Sequence, residues 1–275
     1  MRDIRLICLD MDGTLLDDDH ATVPARNVRA LRAAAARGAS VAIASGRAWS
    51  LLREAADQVG AVRYAVQSNG AAVLDVETGE WLYRSCLEEG TWRALVRLLL
   101  AENLPFEVYC EGENLIQRDR FPSVLDCALS PQFRGVLRRC TALPEDLEAA
   151  LSGRAVEKFH IYHIPEARRA AAAERVGACG PLTAASGFPG NLELTAPGVN
   201  KGAAVRGLCA RMGWTAEQVM AFGDAGNDLE MLSWAYWSFA MANAADQAKA
   251  AARYVTGPNT QAGVAAAVEQ YFLDG

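Results

Sequence analysis

The N-terminal part of the chain alternates between apolar runs and amphipathic stretches. Residues 4–9 (IRLICL) form a nearly continuous apolar run, which is typical of a strand buried on both faces of a parallel sheet. Residues 24–38 carry apolar side chains at helical spacing, with a proline in the first turn and a glycine at the end. A second apolar run (40–45), a helix (49–59) and a third run (64–70) follow. This order predicts an α/β fold with a doubly wound, parallel, Rossmann-like sheet.

The alternation then stops, and a mixture of hairpins and helices takes its place. Residues 71–85 and 106–118 each have the pattern of two short strands joined by a turn, and a helix over about 88–103 separates them. Short strands and an Ala-rich helix continue this mixture as far as residue 196. Antiparallel pairing in the middle of an α/β chain predicts an inserted α+β domain, which we place at residues 82–192.

The alternation of helices and strands returns after Lys201 and continues to the end of the chain. A helix over about 202–212 precedes the apolar strand VMAFGD (219–224), and further helices and strands follow. We therefore predict a discontinuous core domain, residues 1–81 and 193–275, which the inserted domain interrupts.

Composition and charge limit the classes of function. The 275 residues are 51% hydrophobic and carry a formal charge of −6, which favours a packed globular protein and argues against binding to nucleic acid or an anionic membrane. No apolar run approaches the length of about 20 residues that spans a bilayer, and the early Asp3 leaves no room for a signal peptide. The seven cysteines are scattered without a CxxC pair, which indicates a reducing, cytoplasmic location.

Polar residues follow the predicted core strands at the point where each strand ends. Asp10 and Asp12 follow the first strand, Ser45-Gly46-Arg47 the second, Ser68-Asn69-Gly70 the third, and Asp224 the strand after the insert. In open α/β sheets, ligands bind beyond the carboxyl ends of the strands. Three aspartates brought to one edge would repel each other, and they form a hard oxygen site of the kind that Mg²⁺ occupies. The sequence therefore predicts a magnesium site at this edge.

The motifs DMDGTLL, SGR, NKG and GDAGNDLEML, in this order, resemble the four motifs of the haloacid dehalogenase superfamily of phosphohydrolases. The position and size of the insert, SNGA, and the closing segment ANAADQAKAAARYVTGPNTQAGVA resemble its Cof-type (IIB-capped) branch. The resemblance covers nearly all of both core segments and is looser in the insert. It implies that the insert is a cap over the active site.

The resemblance also implies roles for individual residues. Asp10 matches the nucleophile that forms an aspartyl-phosphate, and Asp12 matches the general acid and base. The Mg²⁺ ligands would be the Asp10 carboxylate, the Asp12 backbone carbonyl and the carboxylate of Asp224, with Asp228 orienting metal-bound water. The phosphate and substrate would be held by Met11 (through its amide), Ser45, Gly46, Arg47, Lys201 and Asn227.

Each of these residues also has a purely structural interpretation. Ser45 could cap the helix that starts near Trp49, and Arg47 could make a salt bridge instead of a substrate contact. Lys201 could be a solvated residue in a first helical turn, although a cation is unfavourable there. The aspartates could be ordinary acids at helix starts or capping turns (Asp10, Asp12, Asp224 and Asp228). The presence of all four motifs favours the functional interpretation.

Candidate substrate contacts in the insert are less specific. His160 and His163 alternate with apolar residues along a predicted strand, where a polar face is the simpler interpretation. Four residues flank a hairpin that could overhang the site (Tyr109, Glu111, Asn114 and Arg118).

We expect a Mg²⁺-dependent phosphatase that hydrolyses a small phosphorylated metabolite, such as a sugar phosphate, as a monomer or weak homodimer. One alternative is a phosphomutase of the phosphomannomutase type, whose core and cap are similar. Another is a non-catalytic regulator that binds a phosphorylated metabolite. Release of phosphate without a sugar bisphosphate product would separate the first alternative from a phosphatase.

Overall fold

The computed structural model describes residues 3–186 and 190–274, and two sheets organise this part of the chain. The larger sheet has eight strands in the order β14-β13-β12-β1-β2-β3-β4-β5. Its strands are β1 (Leu6–Leu9), β2 (Ser40–Ala44), β3 (Val62–Gln67), β4 (Ala72–Asp75), β5 (Trp81–Arg84), β12 (Val219–Gly223), β13 (Trp237–Ala240) and β14 (Tyr254–Val255).

The first strand lies in the middle of this sheet, between β2 and β12, and is parallel to both. Alternate residues of β1 face opposite sides, so Ile7 and Leu9 pack in one apolar core and Leu6 and Cys8 in another. Helices α1 (Ala25–Ala36), α2 (Trp49–Val59) and α11 (Gly263–Val268) cover the first side, and α8 (Lys201–Met212) covers the second with Met231 of α9 (Leu229–Trp234). Another helix, α10 (Asp246–Ala251), packs near the first side through Ala248. The predicted doubly wound α/β fold is confirmed.

The smaller sheet has six strands in the order β10-β11-β9-β6-β7-β8, and its neighbours are antiparallel except β7 and β8. Its strands are β6 (Phe106–Cys110), β7 (Glu113–Leu115), β8 (Thr141–Ala142), β9 (Val156–Ile161), β10 (Thr183–Ala185) and β11 (Leu192–Thr195). The accompanying helices are α3 (Glu89–Ala101), α4 (Phe121–Asp126), α5 (Pro131–Cys140), α6 (Leu147–Leu151) and α7 (Arg169–Gly177). The sequence pattern did not indicate α4, α5 or α6, which are short and lie between the two groups of predicted strands.

Both predicted limits of the insert, Leu82 and Leu192, fall inside strands, and this calls for a correction. Leu82 lies in β5, which pairs with β4 at the edge of the larger sheet, so it belongs to the core. Leu192 lies in β11, which pairs with β9 in the smaller sheet, so it belongs to the insert. We propose limits near residues 85 and 196, and the smaller unit is called the cap below. In the described part of the chain, no helix has both the length and the apolar character needed to cross a membrane.

Candidate active site

The carboxyl ends of three adjacent parallel strands bring the predicted motif residues together. Asp10 follows β1 directly, and its amide donates to the carbonyl of Phe222 in β12 at 2.9 Å. Ser45 follows β2, and Asp224 follows β12. Because β12, β1 and β2 are neighbours that run in the same direction, these residues share one edge of the sheet.

Three carboxylates meet at this edge. Oxygen atoms of Asp10, Asp224 and Asp228 lie within 4.8 Å of one another, a spacing that could hold one metal ion. Asp228 is fully buried, and its Oδ2 accepts from the amides of Asp224 (3.0 Å) and Ala225 (3.1 Å). Its other oxygen accepts a hydrogen bond from a lysine. Asp228 therefore lies on the buried side of the cluster, and Asp10 and Asp224 lie on its open side.

That lysine is Lys201, the first residue of α8. Its Nζ is fully buried and donates to Asp10 Oδ1 at 2.6 Å and to Asp228 Oδ1 at 2.8 Å. Burial alone would lower the pKa of Lys201, but the two carboxylates outweigh burial and raise it above its ordinary value. The interpretation of Lys201 as a solvated surface residue is therefore wrong.

Negative charge exceeds positive charge in this cluster. Burial and the nearby Asp228 carboxylate raise the pKa of Asp10 well above its ordinary value, although Lys201 opposes them. The same two causes raise the pKa of Asp224 to about 6. One lysine therefore does not balance the three acids, and a divalent cation bound between them would relieve the repulsion.

Asp12 points to a different set of partners. Arg47 donates to both of its oxygens, from Nε at 2.9 Å and Nη2 at 2.5 Å, and His20 Nδ1 lies 2.9 Å from Oδ1. Burial would raise the pKa of Asp12, but Arg47 and His20 hold it well below its ordinary value. In this structure, therefore, Arg47 makes the salt bridge that the sequence left open. Its guanidinium also lies over the ring of Phe133, 4.2 Å from the ring centroid.

The loop after β2 is shaped to approach a ligand. The helix α2 starts at Trp49 with Ala48 before it, and its first amide donates to the side chain of Gln67, so the capping interpretation of Ser45 is wrong. Ser45 Oγ instead accepts from the amide of Arg47 at 3.1 Å. A Cβ on Gly46 would lie 2.9 Å from Asn69 Oδ1, so only glycine fits this position without movement.

The remaining motif residues lie nearby. Met11 is buried between Asp10 and Asp12. Gly13, directly after Asp12, has a φ of +77°. A Cβ there would lie 2.4 Å from Asp224 Oδ2, so the glycine lets the first motif pass close to the acid cluster. Asn227 Nδ2 donates to Asn69 Oδ1 at 3.3 Å.

A cavity of about 320 Å³ lies between these loops and the cap. This volume is at the lower end of the range of about 300–1,000 Å³ that is usual for small-molecule sites. The core side of the cavity includes Asp10, Asp12, Ser45, Gly46, Arg47, Asp224 and Asn227, together with His20. The cap side includes Glu107, Tyr109, Leu129, Phe133, Lys158, His160, Tyr162 and Glu193.

Three cap strands supply most of the polar side chains through their alternation. Across β6, β9 and β11, His160 pairs in register with both Glu107 and Glu193. Two positions along, Lys158 pairs with Tyr109 and Thr195. Side chains two residues apart share one face of a sheet, so these two rows point toward the cavity. The residues between them pack on the other face in the apolar interior of the cap (Val108, Phe159 and Leu194).

Residues of both rows form a hydrogen-bond network around Glu107. Its Oε1 accepts from the Tyr109 hydroxyl at 2.6 Å and lies 3.0 Å from His160 Nδ1. The other ring nitrogen of His160 lies 3.5 Å from Asn191 Nδ2. Glu107 is almost completely buried, so its charge depends on these partners.

One residue of each row, Lys158 and Glu193, connects the cap to the core. Lys158 Nζ lies 3.0 Å from Glu193 Oε1 and donates to the carbonyl oxygen of Gly46 at 2.7 Å. The other oxygen of Glu193 accepts from Asn69 Nδ2. We call Lys158 and Glu193 the cap–core clasp, because this pair contacts two core loops, through Gly46 after β2 and Asn69 after β3.

The cap candidates from the sequence have mixed outcomes. Tyr109 and His160 line the cavity, and Tyr109 also lies under Lys158 at 5.2 Å. The other four do not line it: His163 is exposed beyond the end of β9, Glu111 pairs with Arg154, Asn114 bonds Thr141, and Arg118 pairs with Glu145. Four polar residues of the cap line the cavity but were not predicted from the sequence (Glu107, Lys158, Tyr162 and Glu193). Charged residues alternating with apolar ones in EKFHI and LELT were the signal that could have found two of them.

A model of the haloacid dehalogenase-like hydrolase family matches residues 7–268 of the chain. The phosphatase YcsE of Bacillus subtilis, which acts on 5-amino-6-(5-phospho-D-ribitylamino)uracil, is 30% identical over 98% of this chain and 97% of its own length. A solved haloacid dehalogenase-like hydrolase from Bacteroides thetaiotaomicron is 26% identical, covers 98% of this chain and 100% of its own, and superimposes with a TM-score of 0.84. A subclass IIB sugar phosphatase shares the fold, with 24% identity over 97% of this chain and 98% of its own, and a TM-score of 0.78.

Proposed function

This chain belongs to the haloacid dehalogenase-like hydrolase family and is a phosphoric monoester hydrolase, and we propose that it is a Mg²⁺-dependent phosphatase of a small phosphorylated metabolite such as a sugar phosphate. One observation carries the proposal. Asp10, Asp224 and Asp228 meet around a fully buried Lys201 at the base of a small cavity under the cap. Such a site can hold a phosphate dianion, a metal and a nucleophile together.

The proposed reaction has two halves. A carboxylate oxygen of Asp10 attacks phosphorus, the bond from phosphorus to the leaving oxygen breaks, and Asp12 gives that oxygen a proton. Water then attacks the phosphorus of the aspartyl-phosphate and gives a proton to Asp12, which releases phosphate and restores the Asp10 carboxylate. Arg47 and His20 hold Asp12 ionised in this structure. This is the form that follows the first half and accepts the proton from water, whereas the first half starts from protonated Asp12.

The acid cluster fits Mg²⁺ because it offers hard oxygen donors whose mutual repulsion a cation relieves. Asp10 and Asp224 would hold the ion with the backbone carbonyl of Asp12, and Asp228 would lie behind them. When bound, Mg²⁺ would supply positive charge near the phosphate oxygens during transfer. Lys201, Ser45 and the amides of Met11 and Gly46 would hold the same oxygens from other directions, with Asn227 beside them.

A relative and the cavity both bear on the identity of the substrate. The relative YcsE acts on a ribityl phosphate that carries a pyrimidine ring, which is a small phosphomonoester with a hydroxylated chain. The small cavity and its polar cap wall support a substrate of similar size. Phosphate release should be measured for a panel of sugar phosphates, polyol phosphates and nucleotides.

The test of the covalent mechanism is Asp10→Asn, which keeps the shape of the side chain and removes the attacking charge. We expect kcat to fall at least roughly 10³-fold, because the covalent step has no other nucleophile. Asp57→Asn is the matched control, since Asp57 is exposed on α2, away from the cavity. Activity of Asp10→Asn within about tenfold of the parent would overturn the covalent assignment.

A further inference from the structure

We propose that the cap wall of the cavity selects a hydroxylated leaving group without negative charge and rejects substrates that carry a second phosphate or a carboxylate. This inference rests on the proposed function, because it concerns the alcohol half of the phosphoester. It adds a property that the fold alone does not determine, since the relevant side chains belong to the cap strands of this chain.

The first argument is the charge of the wall. Two carboxylates, the buried Glu107 and the partly buried Glu193, face one ammonium group, Lys158. Burial works against ionisation of Glu193, but Lys158 and His160 hold its pKa at about 2. Burial is likewise outweighed at Glu107, where the contact with His160 holds the pKa below its ordinary value.

The second argument is that the nearby cations already have partners. Lys158 is held by Glu193 and by the Gly46 carbonyl. Arg47 makes two bonds to Asp12 and donates to the His20 carbonyl at 3.0 Å. An anionic leaving group would therefore meet carboxylates without gaining a cation, and like charges in a buried site repel strongly.

Two polar groups of the wall, on Glu107 and Tyr162, indicate what the wall can bind. Glu107 Oε2 and the Tyr162 hydroxyl are buried. The Tyr162 hydroxyl interacts with the Glu107 carboxylate, but no well-aligned hydrogen bond to either atom forms within the described residues. Buried polar atoms are normally satisfied, so a ligand in the cavity is a natural source of the missing bonds. A carboxylate oxygen accepts hydrogen bonds only, so it would bind hydroxyl or N–H groups of the leaving group.

The inference also bears on the mutase alternative. A phosphomutase of the phosphomannomutase type must hold a sugar bisphosphate, in which the second phosphate lies on the leaving-group side. A wall with more carboxylate than ammonium is unsuited to that phosphate. The same charge argument therefore favours hydrolysis over phosphate transfer between positions of a sugar.

The test compares two substrates that differ in one group. Glucitol 6-phosphate and 6-phosphogluconate have the same carbon chain and phosphate, but the first ends in a hydroxymethyl group and the second in a carboxylate. We expect kcat/KM for glucitol 6-phosphate to be at least about tenfold higher, because the carboxylate must approach Glu107 and Glu193. Where turnover is too slow to measure, calorimetric binding of both compounds with Mg²⁺ present gives the same ratio.

Variants assign the preference to the wall. Glu107→Gln and Glu193→Gln each remove one negative charge, and each should reduce the preference severalfold. Glu113→Gln is the matched control, because Glu113 lies on the cap hairpin outside the cavity and pairs with Arg154. The inference would be overturned if the parent had an equal or higher kcat/KM for 6-phosphogluconate. It would also be overturned if Glu107→Gln and Glu193→Gln changed the ratio of the two kcat/KM values no more than Glu113→Gln does. If the proposed function itself were wrong, neither compound nor p-nitrophenyl phosphate would be hydrolysed. Calorimetric binding would still show the preference for the uncharged compound.

Discussion

The cap–core clasp of Lys158 and Glu193 leads to a quantitative prediction about how the cap is held. Lys158 is 1% exposed, and its Nζ contacts Glu193 at 3.0 Å and the Gly46 carbonyl at 2.7 Å. Glu193 in turn accepts from Asn69 in the core. Removing either partner leaves the other charge without its ion pair, and breaking a buried pair in this way typically costs about 3–5 kcal/mol.

The pKa of Glu193 gives an independent magnitude. Burial works against ionisation, yet the charges of Lys158 and His160 bring this pKa from 4.5 to about 2. A change of this size corresponds to about 3 kcal/mol in favour of the ionised form in the folded protein. The sign follows from a depressed acid pKa: the stabilisation is complete above pH 4.5 and is lost as the pH falls toward 2.

A double-mutant cycle measures the clasp directly. Lys158→Met, Glu193→Gln and the double variant are unfolded with urea at pH 7, and the coupling energy is expected to be about 2 kcal/mol or more. The matched control is the pair Arg154 and Glu113, where Glu113 is 56% exposed, and its coupling should stay below about 1 kcal/mol. A clasp coupling no larger than that of the control pair would refute the reasoning.

Two further predictions concern the metal site and Glu157, a cap residue of β9 that accepts from Ser68 of the core. EDTA should abolish phosphate release and Mg²⁺ should restore it. Asp224→Ala should raise the Mg²⁺ concentration needed for half-maximal activity. Asp228→Ala should mainly lower the melting temperature, because Lys201 loses one of its two acceptors and two amides lose theirs. Activity in metal-free buffer would contradict the metal requirement. Burial raises the pKa of Glu157 from 4.5 to about 7 despite its bond to Ser68, so the folded protein loses stability as the pH rises from 4.5 to 7. Glu157→Gln should therefore stabilise the protein at pH 8, by at most about 3 kcal/mol, and a destabilised variant in urea unfolding at pH 8 would contradict this.

The core of the site was predictable because each motif follows a strong strand. Asp10 and Asp224 come directly after apolar runs that could be buried only in a central sheet, and parallel strands place their ends at one edge. Sequence position was therefore nearly equivalent to position in space. The partners of Asp12 were a different matter. His20 lies in a loop without periodicity, and nothing in its local sequence indicates that it folds back onto Asp12.

The cap wall was predictable only in part, through Tyr109 and His160, because its assembly depends on register. Glu107, His160 and Glu193 lie far apart in the sequence and meet only because three strands pair at these positions. A shift of one residue in any strand would turn its polar side chains into the apolar interior of the cap. The alternation in each strand shows that one face is polar, but it does not identify the partner residues.

The corrected domain limits follow from the same pairing, and they affect how the cap can be exchanged or removed. The amide of Ser85 donates to Ala71 in the core, whereas the amide of Leu87 donates to Val156 in the cap, so the chain passes between the two units at this point. A cut at the predicted limits would remove β5 from the core sheet and leave the unpaired edge of β4 exposed. It would also leave Glu193, a member of the clasp, attached to the core. A cut near residues 85 and 196 keeps each strand with its own sheet, and the loss of the clasp then reports on the cap alone.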